Sequence, residues 1–220
     1  MAGLFDFFKP HRTVPVTSWT GTHRWDLSIS RVAILFTSLF GFGIGDSLLI
    51  SSNLGNAPWS VLAQGVSKQL GISIGVATLL ISAIVLFLWL PLRERPGFGT
   101  VANILIIALA IDVGLHYFPE PESFAFRLTY VLLGIAMVGA GSAFYITCGL
   151  GPGPRDGWMT ALHKRTGIRI GRVRLGIELT VLVVGWLLGG TVGLGTALFA
   201  LLIGHSVAIS FGVVSRLTTR

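Results

Sequence analysis

Two stretches of sequence, LGNAPWSVLAQGVSKQLGISIG (residues 54–75) and LGPGPRDGWMTALHKRTGIRIG (residues 150–171), decide the fold. They align without a gap at an offset of 96 residues, which pairs Pro58 with Pro154. This 96-residue register continues on both sides and pairs the glycines at positions 43 and 139, 45 and 141, 97 and 193, and 99 and 195. Agreement over this length predicts an internal duplication.

Each stretch contains a segment that is too short to cross a bilayer, residues 58–70 in the first and 154–166 in the second. Both segments begin with proline, which is tolerated at the first position of a helix. Apolar residues then recur at helical spacing, for example Trp59, Leu62 and Val66. The sequence therefore predicts one short amphipathic helix in each half, either re-entrant or lying at the membrane surface.

The rest of the chain consists largely of apolar runs. Of the 220 residues 52% are hydrophobic and 11% are charged, and the mean hydropathy of +0.79 is too high for an ordinary soluble domain. A hydrocarbon core of about 30 Å requires roughly 20 apolar residues in a helix. Six runs approach that length, so we predict an all-α membrane protein with six transmembrane helices, near residues 32–51, 74–92, 98–117, 128–149, 175–190 and 196–214.

The distribution of basic residues predicts the orientation of these helices. If the two short helices do not span, all lysines and arginines except Lys68 and Arg127 lie on one side, which the positive-inside rule identifies as the cytoplasm. Three spans per half is an odd number, so the second repeat is inverted relative to the first. The predicted organisation is a cytoplasmic N-terminal tail (1–30), membrane repeat 1 (31–118), membrane repeat 2 (127–214) and a cytoplasmic C-terminal tail (215–220).

Several classes of function find no support in the sequence. A single cysteine, Cys148, cannot build a disulfide framework or a thiolate metal cluster. No P-loop, catalytic triad or metal-ligand cluster is visible, so we expect no enzyme activity, cofactor or metal. The basic residues lie between apolar runs, which argues against nucleic acid. The expected partners are the lipid bilayer and a small-molecule solute, with a homo-oligomer or an accessory protein left open.

Three segments carry a resemblance to a known group: GLGPGPRDGWMTALHKRTG (149–167), GGTVGLGTALFALLIG (189–204) and RERPGFGT (93–100). They resemble the bacterial YczE/YyaS/YitT group of integral membrane proteins, and the YczE type most. The resemblance covers roughly residues 31–210. It implies a multi-pass protein of the bacterial inner membrane, and it implies no particular chemistry.

Ionisable residues inside the apolar runs are the first site candidates. A carboxylate at the bilayer centre costs roughly 2.5–3.5 kcal/mol on insertion scales, so it must face protein or water. Asp46 and Asp112 are predicted at similar depth in the membrane. Each of them either couples transport to a proton or cation, contacts a cationic solute, or belongs to a structural hydrogen-bond network between helices. Glu178 lies four residues after Arg174, which favours an ion pair near the inner interface.

The entrances to the two short helices are the second group of candidates. A helix that begins at Pro58 or Pro154 leaves unpaired N–H groups at the positive end of its dipole, which can hold an anion. Asn56 belongs to the first entrance, and Arg155 would strengthen an anion site at the second. Asp156 argues against an anion there, because it can cap the helix or pair with Arg155.

Other residues have structural interpretations. Gly43, Gly45, Gly139 and Gly141 predict close approach of helices, as small residues permit in membranes. Tyr145 is predicted to pack or to anchor the chain at the interface.

The function predicted from these features is a secondary permease that moves a small polar solute by alternating access, with an anion among the candidate solutes. One alternative is a non-transporting accessory protein that anchors a partner. Another is a substrate-binding membrane subunit of an energised importer, which rests on analogy of size alone.

Overall fold

The computed structural model describes residues 13–218. In this part of the chain it shows eight α-helices and no strands, numbered in chain order as α1 (Ile29–Ser51), α2 (Pro58–Leu70), α3 (Ile74–Phe87), α4 (Phe98–Tyr117), α5 (Phe124–Thr147), α6 (Pro154–Thr166), α7 (Ile170–Leu187) and α8 (Leu194–Thr218).

Local sequence explains the helix boundaries. The short helices α2 and α6 begin at the predicted prolines, and each has 13 residues. Each ends at a glycine in the left-handed conformation, Gly71 (φ 65°) and Gly167 (φ 72°), a conformation that costs glycine no Cβ clash. Serine side chains cap the first turns of α1, α3 and α5 by accepting a backbone N–H bond.

The helix starts follow the 96-residue register. Helices α2 and α6 start at positions 58 and 154, α3 and α7 at 74 and 170, and α4 and α8 at 98 and 194. The two halves also exchange equivalent hydrogen bonds. The Gly99 N–H donates to the Leu150 carbonyl at 2.8 Å, and the Gly195 N–H donates to the Leu54 carbonyl at 2.7 Å.

Helices α1 and α5 cross at the centre of the molecule, and their contacts are reciprocal. A Cβ at Gly45 would lie 2.8 Å from the Gly134 carbonyl oxygen, and a Cβ at Gly141 would lie 2.7 Å from the Ser38 carbonyl oxygen. The residue number in α5 falls as the number in α1 rises, so the two helices are antiparallel. The predicted close approach at these glycines is confirmed, and the reciprocal contacts describe an approximate two-fold axis through the crossing.

Four helices, α1, α4, α5 and α8, are long and apolar enough to cross a membrane, which supports a multi-pass membrane protein. Helices α2 and α3 together meet the same criterion as one span bent by 112°. Helix α3 has 14 residues and ends at Phe87, short of the predicted residue 92, and α7 carries Arg172, Arg174 and Glu178. Length and hydropathy therefore give four or five spans in the described part of the chain and do not confirm the predicted six.

The two ends of the helical bundle carry different sets of charges. At one end Glu94 lies 3.2 Å from the Lys164 ammonium and 4.0 Å from Arg24. At the other end Glu120 pairs with Arg127 at 2.6 Å and accepts a hydrogen bond from Asn53 at 3.0 Å. This separation agrees with the grouping of basic segments on which the predicted orientation depends.

Residues 13–28, predicted as part of a cytoplasmic tail, pack against the ends of α4 and α5. The Gly21 N–H donates to the Cys148 carbonyl at 2.9 Å, and the Thr20 hydroxyl donates to the Thr147 carbonyl at 2.8 Å. Asp26 pairs with the buried Arg31 at 2.8 Å. Hydrogen bonding therefore ties this segment to the bundle, while residues 1–12 of the predicted tail lie outside the described residues, as do residues 219–220 of the C-terminal tail.

The two halves differ in how their third and fourth helices pack. Helix α3 packs against α4, whereas the equivalent helices α7 and α8 make at most a marginal contact. A Cβ at Gly75 would collide with the carbonyl oxygen of Ala108 in α4. The equivalent positions are Gly171 and Gly204, and a Cβ at either would meet nothing within 4 Å. The second half is therefore open where the first half is closed.

Candidate functional site

A cavity of about 180 Å³ lies beside the crossing of α1 and α5 and is lined by both halves of the chain. Much of its wall consists of pairs of positions that the 96-residue register equates, and within several pairs the chemistry differs. These pairs are Asp46 with Ser142, Trp59 with Arg155, Thr78 with Arg174, Ser82 with Glu178, and Asn103 with Phe199.

The short helices α2 and α6 meet at this cavity by their N-terminal ends. The guanidinium carbon of Arg155 lies 4.9 Å from the ring centroid of Trp59, in cation–π geometry. Their C-terminal ends lie far apart, since Lys68 of α2 donates to the Gly189 carbonyl at 2.7 Å while Lys164 of α6 pairs with Glu94. The two positive dipole ends therefore point toward one space from opposite ends of the bundle.

Arg155 is one of two arginines that line the cavity, and Arg174 is the other. The Arg155 guanidinium interacts electrostatically with Asp46 and Asp156. None of the ion pairs within 4.0 Å among residues 13–218 includes it, and no hydrogen bond in that part of the chain occupies its donors. The guanidinium therefore keeps hydrogen-bond donors that a bound solute could use.

Asp46 supplies a buried negative charge. Its exposed fraction is 2%, and the Ser60 side chain of α2 is its polar neighbour. Ser60 is itself 2% exposed, and it stands at the position equivalent to Asp156. The prediction that the Asp46 carboxylate faces protein or water rather than lipid is confirmed by this placement.

Tyr145 and Asp156 form a second polar contact in the cavity wall. The Tyr145 hydroxyl donates to Asp156 Oδ2 at 2.6 Å, and the Tyr145 side chain is 4% exposed. The interpretation of Tyr145 as a packing or interface residue is therefore incomplete, because its hydroxyl belongs to the site. Asp156 accepts this hydroxyl and does not approach Arg155 within 4.0 Å, so the predicted close pair is absent.

Glu178 and Arg174 form the predicted ion pair, with Arg174 Nε 2.8 Å from Glu178 Oε1. Both side chains also line the cavity, on the side where α7 and α8 stand apart. Sequence reasoning treated the pair as interfacial. The structure adds that both side chains line the cavity, together with Phe199 and Ile203 of α8.

Pro58 lines the cavity, but two other predicted entrance residues do not. Asn56 is fully buried, and its amide donates to Gln64 Oε1 at 2.9 Å, leaving Asn56 Oδ1 without a partner. The carbonyl of Pro154 accepts the indole N–H of Trp89 at 3.0 Å. These contacts hold the entrances of α2 and α6 in place behind the cavity wall.

Asp112 does not line the cavity. Its carboxylate accepts hydrogen bonds from the Ser73 hydroxyl at 2.6 Å and from the Gly75 N–H at 2.7 Å. These bonds join α4 to the first turn of α3, and we call them the Asp112 clasp. The equivalent of Asp112 in α8 is Ala208, so the second half has no corresponding carboxylate.

Within residues 13–218 no group of three or more His, Cys, Asp and Glu side chains is arranged to hold a metal ion. The expected lack of a cofactor remains a prediction.

Sequence reasoning missed Trp59 and Asn103 as cavity residues. Trp59 is 6% exposed, and its indole N–H has no hydrogen-bond partner. The signal for Trp59 was present, because the register pairs it with Arg155, a predicted site residue. Asn103 lies in a helix whose apolar residues surround it, and periodicity alone does not reveal which way it faces.

A protein-family model matches residues 29–211, and its description is "Family of unknown function (DUF6198)". The chain belongs to this family. It is 42% identical over 209 residues to an "Uncharacterized protein" of Haemophilus influenzae, covering 95% of this chain and 96% of that protein. No solved structure matches the chain.

Two relatives from Bacillus subtilis bear out the resemblance found in the sequence. The chain is 32% identical to "Uncharacterized membrane protein YczE" over 178 residues, covering 80% of this chain and 83% of YczE. It is 27% identical to "Uncharacterized protein YyaS" over 186 residues, covering 80% and 92%. The YczE type shows the higher identity of the two, as predicted, and the likeness to the YitT type stays a prediction.

Proposed function

We propose that the protein is a secondary transporter that carries a small polar solute through this cavity by alternating access. The observation that carries the proposal is the position of the cavity between two antiparallel, equivalent halves of the chain. Secondary transporters bind solute where such repeats meet, and each half can adopt the shape of the other.

The proposed topology has six spans in a 3+3 inverted repeat in the bacterial inner membrane, with both termini cytoplasmic. Helices α3 and α7 complete the two sets of spans, and α2 and α6 enter the membrane from opposite faces as re-entrant helices. The meeting of their N-terminal ends at Trp59 and Arg155 supports this arrangement, because helices lying flat on opposite surfaces could not touch there.

The unequal packing of the halves supports a transport cycle. The Asp112 clasp joins α3 to α4 near the end of the bundle that carries Glu120, and we assign that end to the outside. Helices α7 and α8 are apart, and the Arg174–Glu178 pair of α7 lines the cavity. In the proposed cycle this is the inward-open state.

In the outward-open state each half of the chain would adopt the conformation that the other half has now. Helix α7 would then approach α8, and Gly171 would reach Gly204 as Gly75 now reaches Ala108. The clasp would open in the same step. Both glycines are compatible with that closure, because neither carries a Cβ that would keep the helices apart.

A cysteine-accessibility experiment tests alternating access without knowledge of the solute. A single cysteine replaces Ser142 in the cavity wall of a Cys148→Ser protein, and an impermeant thiol reagent is applied from each face of the membrane. We expect labelling from both faces. Additional cysteines replace Arg169 and Ala208, the equivalents of the hydrogen-bonded Ser73 and Asp112. They should form a disulfide that abolishes labelling from the inner face, and reduction should restore it.

The matched control carries cysteines at Ser142 and Ala208 only, and oxidation should not change its labelling from the inner face. Labelling of Ser142→Cys from one face alone in the unlocked protein would contradict alternating access. In that case a stable co-purifying partner would favour the accessory role.

A further inference from the structure

Resting on the proposed transport function, we infer that the cavity binds a small zwitterion of the α-amino acid class, with its carboxylate at Arg155 and its ammonium group at Asp46. The argument depends on two opposite charges, on the available hydrogen bonds and on the size of the cavity.

Three observations favour a carboxylate beside α6. The Arg155 guanidinium has no carboxylate within 4.0 Å among residues 13–218, and a guanidinium can bind a carboxylate through two parallel hydrogen bonds. Two helix N-terminal ends add positive potential at the same place. The Trp59 indole is 6% exposed and lines the cavity, and its N–H lacks a partner.

Asp46 favours a cationic group in the same space. It is 2% exposed and lines the cavity, with the Ser60 side chain as a polar neighbour. Arg155 acts on it electrostatically, but the two do not form an ion pair within 4.0 Å. The gap between them leaves each charge able to bind a separate group of one solute.

A solute with a single charge would satisfy only half of this arrangement. A simple anion at Arg155 would place a second negative charge near Asp46, and a simple cation at Asp46 would be repelled by Arg155. Buried charges are costly unless they are paired, and each arrangement leaves one of these two side chains without a charged partner within 4.0 Å. An α-amino acid carries both charges on one carbon and can pair with both side chains.

The size of the cavity limits the side chain of the solute. A cavity of about 180 Å³ is close in size to a cavity of about 150 Å³ that holds benzene, a molecule of six non-hydrogen atoms. Alanine has about as many non-hydrogen atoms as this, and phenylalanine has about twice as many. Apolar side chains on both sides of the α1–α5 crossing, Phe42 and Val138, also face the cavity and suit a methyl group.

Calorimetry on the purified full-length protein in detergent tests the inference with three matched probes. Alanine carries both charges, propionate lacks the ammonium group, and ethylamine lacks the carboxylate. We expect alanine to bind at least about tenfold more tightly than either of the others, and phenylalanine not to compete.

Two variants assign the charges. Arg155→Gln should abolish alanine binding, and Asp46→Asn should weaken alanine binding while it improves the relative affinity for propionate. Arg172→Gln removes an exposed arginine of α7 that does not line the cavity, so it is the control and should leave the preference among the probes unchanged. Thermal unfolding of each variant checks that it is folded.

Failure of alanine to bind the folded wild-type protein overturns the inference, as does equal affinity for alanine and propionate. These results are distinguishable from failure of transport. Alanine binding without access from both faces would retain the binding site and reject the transporter, whereas access from both faces without alanine binding would do the reverse.

Discussion

The Asp112 clasp gives the sharpest prediction about the conformational equilibrium. Asp112→Ala removes the two hydrogen bonds that join the carboxylate to Ser73 and Gly75. Hydrogen bonds to a charged group contribute about 1.5 kcal/mol each at the lower end of their range, which suits a partly exposed site. The expected loss is therefore about 3 kcal/mol for the closed arrangement of α3 and α4, or about a hundredfold in the ratio of closed to open forms.

Double electron–electron resonance, which measures the distance between two spin labels, checks this change in the ratio of closed to open forms. Spin labels at Val76 on α3 and Tyr117 on α4 occupy exposed positions near the clasp. We expect Asp112→Ala to add a population at longer distance, and Asp112→Asn to have a smaller effect because the amide oxygen still accepts a bond. An unchanged distance distribution in a folded Asp112→Ala protein would refute the idea that the clasp holds α3 against α4.

Three further predictions concern stability. Gly45→Val should destabilise the α1–α5 crossing by several kcal/mol in detergent unfolding, because its Cβ would lie 2.8 Å from a backbone oxygen, whereas Gly41→Val should be nearly neutral because nothing lies within 4 Å. Trp89→Phe should cost about 1 kcal/mol through the lost bond to Pro154, and Trp89→Ala about 3–5 kcal/mol. The hydrogen bonds from Thr22, followed by the Arg31 pair, lower the pKa of Asp26, so the contribution of this carboxylate to the stability of residues 20–26 should be present above pH 3.8 and be lost as the pH falls through the lowered pKa. Amide exchange should show this loss in the wild-type protein and not in Asp26→Asn.

The fold follows the sequence most closely where a local signal marks a boundary. The prolines at positions 58 and 154 and the glycines at 71 and 167 mark both short helices, and the structure starts and ends them there. Helix α4 occupies the predicted residues 98–117. Helix α7 starts at Ile170, five residues before the predicted span. The arginines in its first turns lower the local hydropathy, but they do not prevent helix formation.

The candidate site was less accessible to sequence reasoning because depth in the membrane does not fix the direction of a side chain. Asp46 and Asp112 were predicted at similar depth, yet Asp46 lines the cavity and Asp112 joins two neighbouring helices. The residues next to these carboxylates come from other parts of the chain: Ser60 lies on α2, and Ser73 is the N-cap residue of α3. Trp59 was overlooked because a tryptophan in an amphipathic helix is ordinarily a packing residue.

The contact between Trp59 and Arg155 has a consequence for how such a site can arise. The two positions are equivalents that touch, so they lie beside the two-fold axis. In a homodimer built from two copies of one half, the same residue would face itself there, and an arginine would confront an arginine. One chain that encodes both halves escapes this constraint, because each half can carry a different residue. Two identical subunits related by this two-fold axis could not place an arginine against a tryptophan at equivalent positions.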